Sequence, residues 1–82
     1  MRQVEVLVRS DVRDDVLAAL DGEGIDYVRT RDEDEDASVV RFPLPTQAVE
    51  HVLGVLREAG VDDEFVVVTN AETARTRGFS AP

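Results

Sequence analysis

The sequence contains a single histidine, His51, whose imidazole makes it a candidate for acid–base chemistry. A histidine acts as a general base when a serine, a cysteine or a metal-bound water lies within hydrogen-bond reach. The chain has no cysteine, and His51 shares the polar face of a predicted helix with Gln47 and Glu58. This setting predicts an exposed surface histidine, no catalytic residues, and a chain that is not an enzyme.

The second candidate is an unbroken acidic run, DEDED, at positions 32–36. Carboxylate oxygens suit hard cations such as calcium, whose binding loops space them around a glycine at a sharp turn. This run has neither the spacing nor the glycine, and adjacent like charges repel one another and stay hydrated. It is therefore predicted to be a solvated loop, and no metal or other cofactor is expected.

The charge balance limits the classes of partner. Eighteen acidic residues face nine arginines, there is no lysine, and the net charge is −9. Such a surface repels nucleic acid phosphates and anionic membranes, and it tolerates high salt, where screening removes self-repulsion. A halophilic protein is therefore favoured over an ordinary acidic protein from a GC-rich genome. Because no cysteine is present, disulfides and thiolate metal sites are excluded, and a cytoplasmic location is expected.

Hydrophobic periodicity predicts the elements that position these residues. Four strands are expected at residues 2–8, 25–31, 37–42 and 64–69. Two amphipathic helices are expected between strands one and two and between strands three and four. Their N-caps are predicted at Ser10 or Asp11 and at Thr46. Left-handed glycine stops are predicted at Gly22 or Gly24 and at Gly60.

The sequence contains an internal repeat. Moving the chain along itself by 36 residues places Val4 on Val40 and Gly24 on Gly60 without a gap. The apolar stripes of the helices match in the same register, with Val16, Leu17 and Leu20 on Val52, Leu53 and Leu56. Chance matches between valines and leucines are common, but the caps and the stop glycines agree as well. The chain is therefore two copies of a strand–helix–strand unit.

Two such units in so short a chain predict an α+β fold, the ferredoxin-like β-α-β-β-α-β sandwich. Right-handed crossovers place both helices on one face of a four-stranded antiparallel sheet. Strands one and three are expected in the centre and strands two and four at the edges. The domain is expected to span residues 1–70, and residues 71–82 are expected to form a polar tail or linker that leads to a membrane domain.

Strand alternation predicts that the sheet face away from the helices gathers arginines. Four residues there are candidate contacts for a ligand or partner: Tyr27, Arg29, Arg31 and Arg41. Because arginine forks match carboxylates and phosphates, an anionic ligand or an acidic partner is expected. The alternative is pairing within the sheet, for instance between Glu5 and Arg41 on adjacent central strands.

The fourth strand, EFVVVT, is unusually apolar for a sheet edge. An unpaired edge invites strand addition by another chain. Four residues are candidates for self-association: Phe65, Val67, Leu7 and Val39. A homodimer is expected to form through the sheet edge or the open sheet face. The alternative is that the residues after Asn70 fold back and cover this edge.

Three short runs carry a family resemblance. They are EGIDYV at positions 23–28, the corner FPLPT at 42–46 followed by AVE at 48–50, and AET at 71–73. These runs resemble the N-terminal soluble domain of uncharacterised haloarchaeal membrane proteins that carry a multi-spanning hydrophobic domain of unknown function. The motifs are structural corners, so the resemblance implies a context and no active-site residues. This sequence ends at Pro82, before any such span, and so corresponds to that domain alone or to a stand-alone relative.

The function predicted from the sequence is a non-catalytic cytoplasmic domain that regulates or oligomerises a membrane protein of unknown activity. The alternative is a stand-alone regulatory protein that binds a small metabolite, similar to amino-acid-sensing domains. An enzyme ranks third, because the sequence shows neither a nucleophile–base pair nor a metal-binding constellation.

Overall fold

The computed structural model describes residues 1–32 and 36–70, which form an α+β arrangement of four strands and two helices. The strands are β1 (Arg2–Arg9), β2 (Val28–Asp32), β3 (Ala37–Leu44) and β4 (Val66–Asn70), and the helices are α1 (Arg13–Gly22) and α2 (Val49–Glu58). The 3₁₀ turns Thr46–Ala48 and Asp63–Phe65 precede α2 and β4. The predictions for acidic residues 33–35 and for the tail 71–82 lie outside the described residues.

The four strands form one antiparallel sheet in the order β2-β3-β1-β4. The prediction that strands one and three are central and strands two and four are edges is confirmed. In the central pair, Val4 lies opposite Phe42 and Val6 lies opposite Val40. These side chains therefore point to the same face of the sheet.

Both helices pack on that face and form a single core with it. The buried side chains are Val4, Val6 and Val8 of β1, Val40, Phe42 and Leu44 of β3, Val16 and Leu20 of α1, Val52 and Leu56 of α2, and Val61. Fully burying a valine or leucine contributes about 1.5–3 kcal/mol, so this face stabilises the fold. Phe42, the largest of these side chains, is 1% exposed.

The helices begin without the predicted side-chain caps. The N-cap positions are Val12 and Ala48, and neither makes a side-chain cap hydrogen bond. Carbonyls of the preceding turns accept their backbone N–H groups instead, from Val12 to Arg9 at 3.1 Å and from Ala48 to Pro45 at 2.9 Å. The Ser10 hydroxyl donates to Asp36 at 2.6 Å, and Thr46 opens a 3₁₀ turn. The predictions of caps at Ser10 or Asp11 and at Thr46 are therefore wrong.

The predicted glycine stops are confirmed at Gly24 and Gly60. Both have positive φ, 73° and 105°, which glycine adopts without the steric cost that a Cβ imposes. Gly22 is the last residue of α1.

All four strands differ from their predicted bounds: β1 ends one residue later, β4 begins at Val66 after a 3₁₀ turn and ends at Asn70, and the boundaries of β2 and β3 also move. β3 continues through Pro43 to Leu44, whose side chain is buried in the core. β2 begins at Val28 rather than Ile25, and this shift matters for the site. Within residues 1–32 and 36–70, no helix is long and apolar enough to cross a membrane.

Candidate functional site

The sheet face opposite the helices presents exposed or half-buried side chains. Residues directly opposite in an antiparallel pair share a face, so the register defines its members. The members whose side chains the structure describes are Gln3, Glu5, Leu7 and Arg9 of β1, Ala37, Val39, Arg41 and Pro43 of β3, Val28 and Thr30 of β2, and Val67 and Thr69 of β4. In the same register, Asp32 of β2 lies opposite Ala37. We call this set the open face. Its middle row runs from Val28 through Arg41 and Glu5 to Val67, across all four strands.

An ion pair occupies the centre of the open face. Arg41 Nε donates to Glu5 Oε2 at 2.9 Å, and the two side chains are each slightly less than half exposed. Arg41 therefore pairs within the sheet, which was the alternative to a ligand contact. An exposed pair of this kind contributes at most about 1 kcal/mol, but it neutralises the charge of the middle row.

The other predicted contact residues lie elsewhere, and their placement on the open face is wrong. Arg29 and Arg31 lie opposite Val40 and Ser38, so they point to the helix side of the sheet. Arg29 Nε donates there to the Ser38 hydroxyl at 3.3 Å. Tyr27 precedes β2 and packs half-buried against the core. The open face therefore lacks the predicted arginine cluster, which removes the charge argument for an anionic ligand there.

Three of the four predicted self-association residues do meet on the open face. Leu7 lies opposite Val39 on the central strands, and Val67 lies next to Glu5 on β4. Phe65 lies in the 3₁₀ turn before β4 and packs half-buried against the core. Val28, which no sequence pattern singled out, is 64% exposed and lies at one end of the middle row, and Val67, at the other end, is 54% exposed.

The carboxylates concentrate away from the open face. The described carboxylates on the helices and the turns beside them are Asp11, Asp14, Asp15, Asp21, Glu23, Asp26, Glu50, Glu58, Asp62, Asp63 and Glu64, and Asp36 lies in the turn before β3. On the open face the described side chains include a single carboxylate, Glu5, and Arg41 neutralises it. Among the described side chains, the helix side is therefore acidic and the sheet side is nearly neutral.

One surface pair connects α2 to the following 3₁₀ turn. Arg57 donates two hydrogen bonds to Asp63, from Nε at 2.8 Å and from a terminal nitrogen at 3.2 Å. These hydrogen bonds lower the pKa of the Asp63 carboxyl, and the same contact raises the pKa of Arg57.

A cleft of about 420 Å³ lies between the turn after α1 and the start of α2. It is lined by Glu23, Gly24, Ile25, Asp26, Pro43, Leu44, Pro45, Ala48, His51 and Val52. His51 is exposed, as the sequence predicts, and its Nε2 lies 2.9 Å from Glu23 Oε1 on the cleft rim. This contact joins residues from different halves of the chain, so no local sequence pattern predicts it.

Comparisons with known proteins identify no family for this chain. A scan against protein-family models and a search of curated proteins both return no match. Within residues 1–32 and 36–70, no three His, Asp or Glu side chains are grouped so that they could hold a metal ion.

Proposed function

We propose that the chain is a ferredoxin-like domain whose function is self-association, in which two copies pair through the open faces of their sheets. The strand order β2-β3-β1-β4, with both helices packed on one face, supports this fold assignment. The observation that carries the function is the charge pattern. A chain with a net charge of −9 presents an open face whose only described carboxylate is neutralised by Arg41 and which also exposes valines.

Electrostatics favour a second copy of the chain as the occupant. A basic partner is attracted to the acidic helix side rather than to the open face. An acidic partner finds Arg41 already paired with Glu5. A second copy carries the same strong negative charge, so it approaches with least repulsion through its own neutral surface.

The middle row suits pairing about a twofold axis. In an isologous interface, the same patch contacts itself on the second copy. Glu5 and Arg41 lie side by side at the centre of the row, with Val28 and Val67 at its ends. A twofold rotation about the centre of the middle row brings each Arg41 near Glu5 of the second copy. The same rotation places Val28 of each copy against Val67 of the other. Four charges then form one balanced cluster between two apolar flanks.

The size of the open face predicts a weak dimer. Strands about 4.8 Å apart and about six residues long, at about 3.4 Å per residue, cover roughly 20 Å by 20 Å. The accessible area buried is larger than this flat area because side chains project, but it falls below the roughly 800 Å² per partner of standard interfaces. Association is therefore expected to depend on protein concentration and to strengthen with salt, which screens the repulsion between the copies.

Three aspartate substitutions test this proposal by sedimentation velocity in low salt and in about 1 M KCl, where the Debye length is about 3 Å. Val67→Asp and Val28→Asp place a charge on the open face at opposite edges, and each is expected to weaken association about tenfold or more. Val68→Asp is the matched control. Its side chain is 37% exposed on the same strand as Val67, but it points to the helix side.

The three variants separate face pairing from edge pairing. If Val67→Asp and Val68→Asp weaken association and Val28→Asp does not, the copies pair through the β4 edge, and the face proposal is wrong. A wild-type chain that stays monomeric at high concentration and high salt removes self-association altogether. Circular dichroism of each variant confirms that a loss of association does not reflect unfolding.

The resemblance to the soluble domain of haloarchaeal membrane proteins supports a biological setting for this pairing. In that setting, the domain lies on the cytoplasmic side and brings copies of a membrane protein together. The coding sequence after Pro82 tests this part alone. Apolar spans there support the membrane setting, whereas a stop codon removes it and leaves the pairing proposal to the sedimentation data.

A further inference from the structure

The described part of the chain has two hollows that the 36-residue repeat relates to each other. The first is the cleft between the α1–β2 turn and the start of α2. The second lies between the α2–β4 turn and the start of α1, and it is lined by Leu7, Arg9, Asp11, Val12, Gly60, Val61, Asp62 and Phe65. Gly24 of the first hollow corresponds to Gly60 of the second, and Asp26 corresponds to Asp62. The two hollows are therefore versions of one structural feature.

The hollows differ in volume and in two lining side chains, and the second adjoins a further hollow of about 390 Å³ that shares Leu7, Arg9, Asp11 and Phe65 with it. The first measures about 420 Å³ and the second about 220 Å³. The N-cap residue of the following helix is Ala48 in the first hollow and Val12 in the second. Val12 packs so closely on Gly60 that its Cγ1 lies 2.9 Å from where a Cβ would stand. Phe65, from the 3₁₀ turn before β4, also lines the second hollow.

The polar groups of the two hollows differ as well. Glu23, Asp26 and His51 line the first hollow, and no arginine is among the described residues that line it. In the second hollow, Arg9 lies 3.7 Å from Asp11 and offsets its charge. Ile25, Leu44 and Val52 supply an apolar floor to the first hollow, and the last two are buried. The first hollow therefore combines an apolar floor with two carboxylates, Asp26 and Glu23, and the Oε1 atom of Glu23 lies 2.9 Å from His51 Nε2.

We propose that the cleft of Glu23, Asp26, Ala48 and His51 binds a small organic amine with an aliphatic body. Its volume falls within the range of small-molecule sites, which pair an apolar lining with a few polar groups. The ammonium group lies against the carboxylates of Glu23 and Asp26, and the aliphatic body covers the apolar floor. The C-terminal end of α1 favours a cation and the N-terminal end of α2 disfavours one. Because these partial charges of the helix ends offset each other, the two carboxylate charges determine that the cleft favours a cation over an anion.

Backbone amide NMR shifts with 3-methylbutylamine as the probe test the proposal at constant ionic strength. Saturable shifts are expected at Gly24, Ala48 and His51, with a dissociation constant of about 1 mM. The matched anion, 3-methylbutanoate, has the same aliphatic body and is expected to give no saturable shift. Equal binding of both compounds contradicts a role for the carboxylates.

Ala48→Val copies the residue found in the second hollow and tests the role of cleft size. It is expected to abolish the amine shifts and to leave the amides of β1 and β3 unchanged, since valine already occupies the equivalent N-cap at Val12. Saturable binding that survives in a folded Ala48→Val variant contradicts the proposal.

A pair of double variants separates the site from general attraction to an acidic chain. Glu23→Gln with Asp26→Asn removes both cleft carboxylates and is expected to weaken binding about tenfold. Glu58→Gln with Asp62→Asn removes the same total charge elsewhere and is expected to change binding less than about twofold. Equal weakening by the two pairs shows nonspecific attraction and overturns the proposal. The site does not depend on face-to-face pairing, so Val67→Asp is expected to bind the amine like the wild type.

Discussion

The two strand–helix units of this chain differ most where each helix leads into the next strand. Helices α1 and α2 begin and end 36 residues apart, at Arg13–Gly22 and Val49–Glu58. Their closing turns use equivalent hydrogen bonds, from Gly24 to Asp21 and from Gly60 to Arg57, both at 3.1 Å. Beyond these turns the first unit reaches β2 through residues 25–27, whereas the second forms the 3₁₀ turn Asp63–Phe65 before β4.

This extra turn changes the repeat spacing but leaves the sheet unchanged. Val28 lies opposite Arg41, and Val67 lies opposite Glu5, the repeat equivalent of Arg41. Val28 and Val67 are therefore equivalent although they are 39 residues apart, because the three-residue turn Asp63–Phe65 has been added. The middle row of the open face keeps an approximate twofold axis between Glu5 and Arg41. The two halves thus differ in length at the turn Asp63–Phe65, which lies outside the proposed pairing surface.

The largest expected difference between the halves concerns their closing glycines. Gly24→Ala is expected to cost about 1 kcal/mol, because its φ of 73° is unfavourable for alanine while the new Cβ meets nothing within 4 Å. Gly60→Ala is expected to cost about 2–3 kcal/mol, since its φ is 105° and its Cβ would lie 2.9 Å from Val12 Cγ1. Urea unfolding measures both values without the screening that guanidinium adds.

A double variant sharpens this comparison. In a Val12→Ala background the clash at Gly60 is relieved, and the cost of Gly60→Ala is expected to fall to about that of Gly24→Ala. Equal costs for the two glycines in the wild-type background contradict the close packing of Val12 on the second turn.

A smaller difference lies within the helices. Gly54 of α2 occupies the repeat position of Ala18 in α1, and a Cβ at Gly54 meets nothing within 4 Å. Gly54→Ala therefore makes the second helix resemble the first and is expected to stabilise the chain by about 0.5–1 kcal/mol. The urea midpoint is expected to rise with an unchanged slope. A fall in the midpoint indicates that Gly54 is needed for a close contact and breaks the equivalence of the helices.

The repeat made the overall arrangement predictable. The matched valines, leucines and glycines sufficed to predict four strands, two helices and a central pair formed by β1 and β3. They did not suffice to predict the N-caps of the helices. Sequence reasoning failed on β2, whose short stretch is exposed on both sides, so no hydrophobic pattern fixes which face each residue takes. A one-residue error there moved Arg29 and Arg31 to the wrong face and concealed Val28.

The cleft was less accessible to sequence reasoning. The difference between Ala48 and Val12 is visible in the repeat, but its effect on volume depends on the packing of Val12 against a glycine 48 residues away. The contact between His51 and Glu23 likewise joins two units that the alignment of the repeat keeps separate. A site formed between the two repeats depends on how they pack against each other, and an alignment of their sequences does not show that packing.

The smallest expected effect concerns the added turn itself. Asp63 lies in that turn, and its hydrogen bonds from Arg57 lower the pKa of its carboxyl in the folded chain. A lowered pKa stabilises the fold above the ordinary aspartate value of about 3.9, and this stabilisation is lost as the pH falls through the lower folded value. Asp63→Asn is therefore expected to lower the melting temperature slightly at pH 7 and not at all at pH values below the folded pKa. Asp62→Asn, with the same change of charge at the neighbouring position, controls for net charge. A destabilisation by Asp63→Asn that persists unchanged at low pH would mean that Asp63 supports the turn through its shape and not through its charge.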